Sequence, residues 1–320
     1  DAEPTLLDLL NCPAPGVTAT DLLEAWFGYL LVSGNAYLEA TAIDGTLVGL
    51  HGLRPDRMHV RTGADGWANG YAYAIDGRSR DMSGDVVPGV RRVLHLKLFH
   101  PDDDHYGLSP IEAAASAIDI HNGASRWNKA LLDNAARPSG ALVYTASDHM
   151  TGEQFERLKS ELETSFQGAA NAGRPLLLEG GLNWKSMSMT PRDMDFIAAK
   201  DAAAREIALA LGVPPMLLGI PGDTTYANYQ EANRTFWRQT VLPLVNRTAR
   251  AISQWLEPAF EDGQSVVPDL DRVEALGPER DALWRRLDTA TFLDDDEKRA
   301  AIGYPPRASD TRAAQVDQPG

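Results

Sequence analysis

"EIALALGVPPMLLGIPGDTTYANYQEANRTFWRQTVLPLV", residues 206–245, holds two helical patterns apart with a loop rich in glycine and proline, from Gly212 to Gly222. The helix before the loop is expected over 191–211, and the helix after it is expected to begin near Thr225 and run to about Glu257. Uninterrupted, the second would be about 50 Å long at about 1.5 Å per residue, well beyond the usual globular helix. Pro243 lies inside it, where it removes the hydrogen bond to the carbonyl of Gln239, so a kink is predicted there.

Upstream, three helix starts are legible. Ser109-Pro110-Ile111-Glu112 combines a capping serine, a proline at the first helical position and a glutamate placed for a capping box; Thr151-Gly152-Glu153-Gln154 repeats the box; Thr190-Pro191-Arg192-Asp193 is a third cap-and-proline start. They predict helices over 110–136, 151–167 and 191–211. "GALVYT" (140–145) reads as a strand, and "GRPLLLEGGLNWKSMSMTP" (173–191) as two short strands turning at Gly180-Gly181. A hairpin between two well-marked helices suggests a protruding module on a helical stalk. Nearer the start, 18–33 reads as a helix with a Leu22, Leu23, Trp26, Phe27, Leu30 stripe, entered through Thr20 as candidate cap. From Asn35 to Leu98 short alternating runs with Asp-Gly turns predict antiparallel strands. Short helical pieces and a loose terminus fill 262–320, and no internal repeat is present.

With 320 residues, 43% of them hydrophobic and 23% charged, the chain is expected to be soluble and globular, as one large domain or two. The stretch 25–38, "AWFGYLLVSGNAYL", is too short to span a bilayer and is broken by glycines, so no membrane helix is expected. Residue 1 is an aspartate, so the numbered chain is expected to be part of a longer product. A single cysteine, Cys12, excludes an internal disulfide and a cysteine-based zinc cluster. The net charge of −15 argues against tight, sequence-tolerant DNA binding, which depends on Lys and Arg neutralising phosphates. Acidity still permits a protein that handles DNA without gripping it.

Catalytic signatures are scarce. The seven histidines (51, 59, 95, 100, 105, 121, 149) all precede residue 150, and no Gly-x-Ser-x-Gly elbow, P-loop or Gly-x-Gly-x-x-Gly occurs. "HLKLFHPDDDHYGLSPIEAA" (95–114) has two readings: a metal or acid–base site built from His100 or His105 with Asp102 to Asp104, or an acidic loop at the positive end of the following helix. Its histidines lack a recognised ligand spacing, which favours the loop. Asp193/Asp195 and Asp201/Glu206 read as solvated helix faces. Tyr226, Tyr229, Phe236 and Trp237 with Arg234, Arg238, Arg247 and Arg250 form either a stacking and phosphate-binding surface or an ordinary amphipathic helix. Arg234 and Arg238 are one turn apart and share a face. No catalytic residue, metal site or cofactor is assigned.

In order and spacing, "YGLSPIEAAASAI", "NKALLDNAARPSGALVY" and the run from Leu182 to Leu256 resemble the portal proteins of tailed bacteriophages of the siphophage type, which include portals of gene transfer agents. The resemblance covers roughly 20–305. Its most specific parts are Gly107-Leu108-Ser109-Pro110, Pro138-Ser139-Gly140, Glu206-Ile207-Ala208, Gly212-Val213-Pro214-Pro215, Leu218-Gly219, Tyr226-Ala227-Asn228 and Leu242-Pro243. It implies a non-enzymatic, α+β protein: an α/β wing, a helical stem, a small β-containing clip and a long kinked tunnel helix, assembled as a homododecameric ring. Such a ring occupies one vertex of a virion or virus-like particle assembled in the bacterial cytoplasm, and double-stranded DNA passes through it during packaging and ejection, without sequence specificity. The implied partners are the major capsid protein, the terminase large subunit during packaging and a head-tail adaptor later; neither membrane nor cofactor is involved. By position, the wing would be 1–150, the stem 151–167 with 191–212, the clip 168–190, the tunnel loop 213–225, the tunnel helix 226–257 and a wing or crown remnant 258–320. DNA would face Val213, Pro214, Pro215, Gly219, Gly222, Asp223 and Thr224 of the loop, and Tyr226, Asn228, Arg234, Arg238 and Pro243 of the helix. Gly180, Gly181, Asn183 and Trp184 of the clip would bind partners. A negative channel wall would repel the polyanion, with isolated arginines giving transient contacts. The alternatives are a head-tail connector ring, normally a shorter chain without the Gly-Val-Pro-Pro run, and a metal-dependent hydrolase centred on the 95–114 stretch.

Overall fold

The computed structural model describes residues 5–133, 140–144, 151–166, 182–186, 196–220, 226–260, 264–304 and 307. Helix α1 (Leu6–Asn11), which the sequence patterns had not suggested, and α2 (Ala19–Ser33) start on the same chemistry. Thr5 and Thr18 accept the amides of Asp8 and Asp21, whose carboxylates accept the threonine amides in return. The cap of α2 is thus Thr18 and not the expected Thr20, because only Thr18 has an acidic partner at the third helical position. α2 stops at Gly34 in the left-handed region (φ 74°). A Cβ at Gly34 would lie 2.5 Å from the carbonyl oxygen of Gly107, and one at Gly107 would lie closer still to that of Gly34. Only paired glycines allow these two backbones to meet.

The expected β-rich region is present. β1 (Asn35–Ile43) and β2 (Thr46–Leu53) form a hairpin through Asp44-Gly45, both at positive φ. β3 (Met58–Thr62), β4 (Ala68–Ile75) and β5 (Arg78–Asp81) form a second antiparallel sheet in that order. β6 (Asp85–Val87) pairs with β7 (Val90–Arg91), and β8 (Val93–Lys97) returns to pair with β1, so β1 is central in the order β2-β1-β8. The pleat of β1 serves two cores. Ala36, Leu38 and Ala40 face Leu22, Trp26 and Leu30 of α2, whereas Tyr37 joins Leu53, Met58, Met82 and Val93. On the Tyr37 side Glu39, a buried carboxylate, is held by Arg80 at 2.5 Å and Arg92 at 3.6 Å.

The helix expected over 110–136 is broken at Ala114 (φ −92°, ψ 6°) into α3 (Pro110–Ala113) and α4 (Ala115–Asp133). Ser109 does cap it, accepting from the Ile111 amide, but no box forms with Glu112; its hydroxyl donates to the Val32 carbonyl at 2.7 Å, tying the helix start to α2. β9 (Gly140–Tyr144) precedes α5 (Gly152–Phe166), where the Thr151/Gln154 box is formed as expected. β10 (Leu182–Ser186) is followed by α6 (Phe196–Ala210).

Two pairings were not among the expectations. β10 pairs antiparallel with β9, Trp184 opposite Leu142, so the described sheet of this module spans α5; the hairpin turn expected at Gly180-Gly181 lies outside the described residues, as do 173–179 and the Thr190-Pro191 start. The helix expected over 191–211 was to pair with 151–167; instead α6 packs along α4. Both helices bury alanines there, Ala117 and Ala124 on one and Ala203 and Ala208 on the other, and small side chains let axes approach closely.

α6 ends in a Schellman turn: the Val213 amide donates to Ala208 and the Gly212 amide to Leu209, with Gly212 at φ 68°. A 3₁₀ turn (Pro215–Leu218) closes on Gly219 at φ 70°. Next come α7 (Tyr226–Phe236), a π turn (Trp237–Val241) and α8 (Leu242–Leu256). The irregularity expected from Pro243 is therefore a widened turn just before the proline, in which the Leu242 amide reaches the carbonyl of Trp237. The extra residue makes room for the ring where a regular turn would clash with it. Finally α9 (Gly277–Thr289) and α10 (Asp295–Ala301) follow, the latter opened by an Asp294/Glu297 capping box.

α8 belongs to the first core. Ile252, Trp255 and Leu256 are buried against Trp26, Leu30 and Leu50. The wing-like body is thus closed by a helix more than 200 residues away in sequence from α2, and the Trp26 indole donates to the Thr248 hydroxyl at 3.0 Å, a separation of 222.

Candidate functional site

Of the expected tunnel loop, Val213 and Pro214 are half-buried just ahead of the 3₁₀ turn, Pro215 is half-buried at its start and Gly219 ends it; Gly222, Asp223 and Thr224 lie outside the described residues. Tyr226 opens α7, Asn228 is exposed on its first turn, and Pro243 is exposed at the start of α8. The two flanks of the loop are fastened together. Thr240 in the π turn donates to the Gly212 carbonyl at 2.6 Å, and a Cβ on Gly212 would meet that hydroxyl at 2.7 Å. The loop and α7 therefore form a closed excursion between Gly212 and Thr240.

Below that closure the chain is anchored to the body by three further bonds. The Arg247 guanidinium donates to the Lys97 carbonyl at 2.6 Å, Trp26 donates to Thr248, and the Trp255 indole donates to the Arg91 carbonyl at 2.7 Å. The helix that follows the loop is thus mounted on the first core.

Arg234 and Arg238 share a face, as their spacing predicts, and that face is occupied. Arg234 pairs with Glu231 at 2.8 Å on its own helix, and both arginines converge on Oε1 of Glu279 in α9, at 3.9 and 3.2 Å. Nothing in the sequence marks Glu279, because it lies 41 residues beyond Arg238. On the clip-like module, Asn183 and Val143 are opposite each other and exposed; Trp184 is on the adjacent position of β10, and Gly180 and Gly181 lie outside the described residues.

The 95–114 stretch is structural throughout. His95 stacks on Tyr37 (ring centroids 4.1 Å apart) and donates from Nε2 to Asn35 Oδ1 at 3.0 Å, while Nδ1 faces the Tyr71 hydroxyl at 3.4 Å. Asn35 Oδ1 also accepts the Gly107 amide at 2.8 Å, which fixes the amide orientation and hence the neutral tautomer of His95. Burial is the main reason its pKa falls to about 3, with the Lys97 charge adding to the effect. Asp103 accepts the His105 and Tyr106 amides, His100 accepts the Asp102 amide, and the Lys97 ammonium donates to the Asp104 carbonyl. The Asp103 carboxylate and the His100 ring are thus engaged by amides of the loop itself. Among the described residues no three of His, Cys, Asp and Glu are grouped to hold a metal ion, and no helix is long and apolar enough to cross a membrane.

A protein of Rickettsia bellii (strain RML369-C), itself uncharacterized, is 42% identical over 308 residues, covering 94% of this chain and 78% of its own. The probable portal protein of Streptomyces phage phiC31 is 29% identical, covering 95% of this chain and 67% of its own. A chain in the neck of a native gene transfer agent (GTA) particle, computed with C12 symmetry, is 55% identical with a TM-score of 0.71, over 94% of this chain and 84% of that one. The phage portal protein family model matches residues 1–303, nearly the whole chain, and the chain therefore belongs to the phage portal protein family.

Proposed function

We propose that twelve copies of this chain close into a ring at the capsid vertex, through which double-stranded DNA is packaged and later ejected. The chain is a portal protein of the phage and GTA type, and portal proteins are structural and not enzymes. The observation that carries the twelvefold reading is its likeness, along nearly the whole chain, to the GTA neck chain computed with C12 symmetry. The family match over 1–303 favours the portal over a shorter connector ring.

Within the ring we assign the body of β1–β8, α2 and α8 to the wing, α4 with α6 to the stem, and the β9-α5-β10 module to the clip. This moves the stem and clip from their sequence-derived positions to those that helix and strand pairing support. The stem helices leave Ile120, Trp127, Ile197 and Leu209 substantially exposed, and the clip leaves Phe155 so. Apolar side chains of this kind suit burial against neighbouring copies in a heterologous, closing interface. The wing rim would meet the major capsid protein, and the clip would meet the terminase large subunit and then a head-tail adaptor. The 213–225 loop and α7 would face the DNA. Native mass spectrometry tests the ring: a species of about twelve copies supports it, and a monomer that stays monomeric with capsid components present overturns it.

A further inference from the structure

We propose that Arg234 and Arg238 form a phosphodiester-binding site that Glu279 occupies from within, so that DNA reaches the arginines only by exchanging with this carboxylate. The inference rests on the assignment of α7 to the DNA-facing wall and adds its regulation. Two guanidiniums one turn apart converge on a single carboxylate oxygen, the geometry in which a phosphate oxygen is held. The match is incomplete, since Arg234 Nε is buried and makes no hydrogen bond, with Glu279 Oε1 3.9 Å away. A phosphodiester carries its two non-bridging oxygens on a tetrahedral phosphorus, spread more widely than a carboxylate's, so with Glu279 displaced it could face both guanidiniums and take the donor left over.

The surroundings leave room for the exchange. A cleft of about 750 Å³ opens beside the pair, with Arg238, Glu279, Arg280, Arg286 and Asp271 among its walls. Arg280 is engaged by Asp271, and Glu231 keeps Arg234 extended along α7, so the arginines are pre-positioned whichever anion they hold. Swapping one anion for another keeps the count of ion pairs nearly constant. DNA would then be held weakly and released easily, and a portal rich in arginine at this point would still not grip its cargo.

The test is duplex DNA binding to the assembled ring as a function of salt, for the wild type, Glu279→Gln, Arg234→Gln/Arg238→Gln, and the triple variant, with thermal midpoints to show that each is folded. Glu279→Gln is expected to bind tighter and to steepen the slope of log K against log salt by about 1 or more, and the triple variant is expected to lose that gain. If Glu279→Gln leaves the slope unchanged while the arginine double variant weakens binding, the arginines meet DNA but Glu279 does not compete, and the inference falls alone. If the triple variant keeps the gain of Glu279→Gln, or if all four rings bind alike, the arginines do not meet DNA, and the DNA-facing assignment falls with it.

Discussion

The body proposed as the wing and the half proposed as stem and clip are built from similar elements but finish their surfaces differently. In the wing, one strand face and two distant helices bury Trp26, Leu30, Leu38, Leu50 and Leu256 almost completely, and the Trp26 and Trp255 indoles find hydrogen-bond partners. In the stem and clip, alanines are buried between α4 and α6 while Ile197 and Leu209 of the same helix stay 73% and 65% exposed. The contrast separates two tasks of one chain. The first region is folded by its own contacts, and on the proposed assignment the exposed apolar face of the second is the one that other copies would cover.

The largest break in that contrast should come from Gly107→Ala. Its Cβ would collide with the Gly34 backbone, which cannot withdraw without unlatching α2 from the Asn35 hub. A loss of about 3 kcal/mol or more is expected, measured by chemical denaturation of the wing transition. Trp26→Phe should cost about 2 kcal/mol by stranding the Thr248 hydroxyl in the core, and adding Thr248→Val should return part of it. A third measurement is the acid slope. His95 is neutral in the folded wing down to about pH 3, whereas the unfolded chain takes up its proton near pH 6.5. Its contribution is complete above pH 6.5 and lost as pH falls toward 3, by at most about 1.4 kcal/mol per pH unit. His95→Gln should flatten the slope between pH 6.5 and 4.5, a window above that in which the depressed carboxylates of Asp8, Asp21 and Asp103 protonate. The smallest effect on the single chain, within about 0.5 kcal/mol, is expected from Ile197→Ser. The same variant should still reduce the population of rings in native mass spectra, and an unchanged ring population would show that this face of α6 is not part of the contact between copies.

Legibility follows the range of the interaction. Thr151/Gln154 is a box between residues three apart, and the box forms. Thr18/Asp21 has the same spacing and its bonds form, whereas Thr20 has Leu23 at that spacing and so no acid to complete a box. The proline at 243 announced an irregular turn correctly, yet not its kind, because a kink and a π turn both satisfy a missing amide. The pairing of β10 with β9, the packing of α6 on α4, and the convergence of Arg234 and Arg238 on Glu279 have no local signature at all.

By itself the sequence determined where most helices and strands lie, the turn at Asp44-Gly45, the absence of a disulfide within the chain and, through the order of its motifs, the portal family. All of these depend on neighbouring residues or on patterns that a linear reading can hold. Only the tertiary structure decided that the second half of the long helix completes the first core, that His95 and Gly107 meet at Asn35, and which acid meets Arg234 and Arg238. Each of those is a meeting of groups tens to hundreds of residues apart, selected by shape and by the need to satisfy buried donors, and spacing along the chain carries neither.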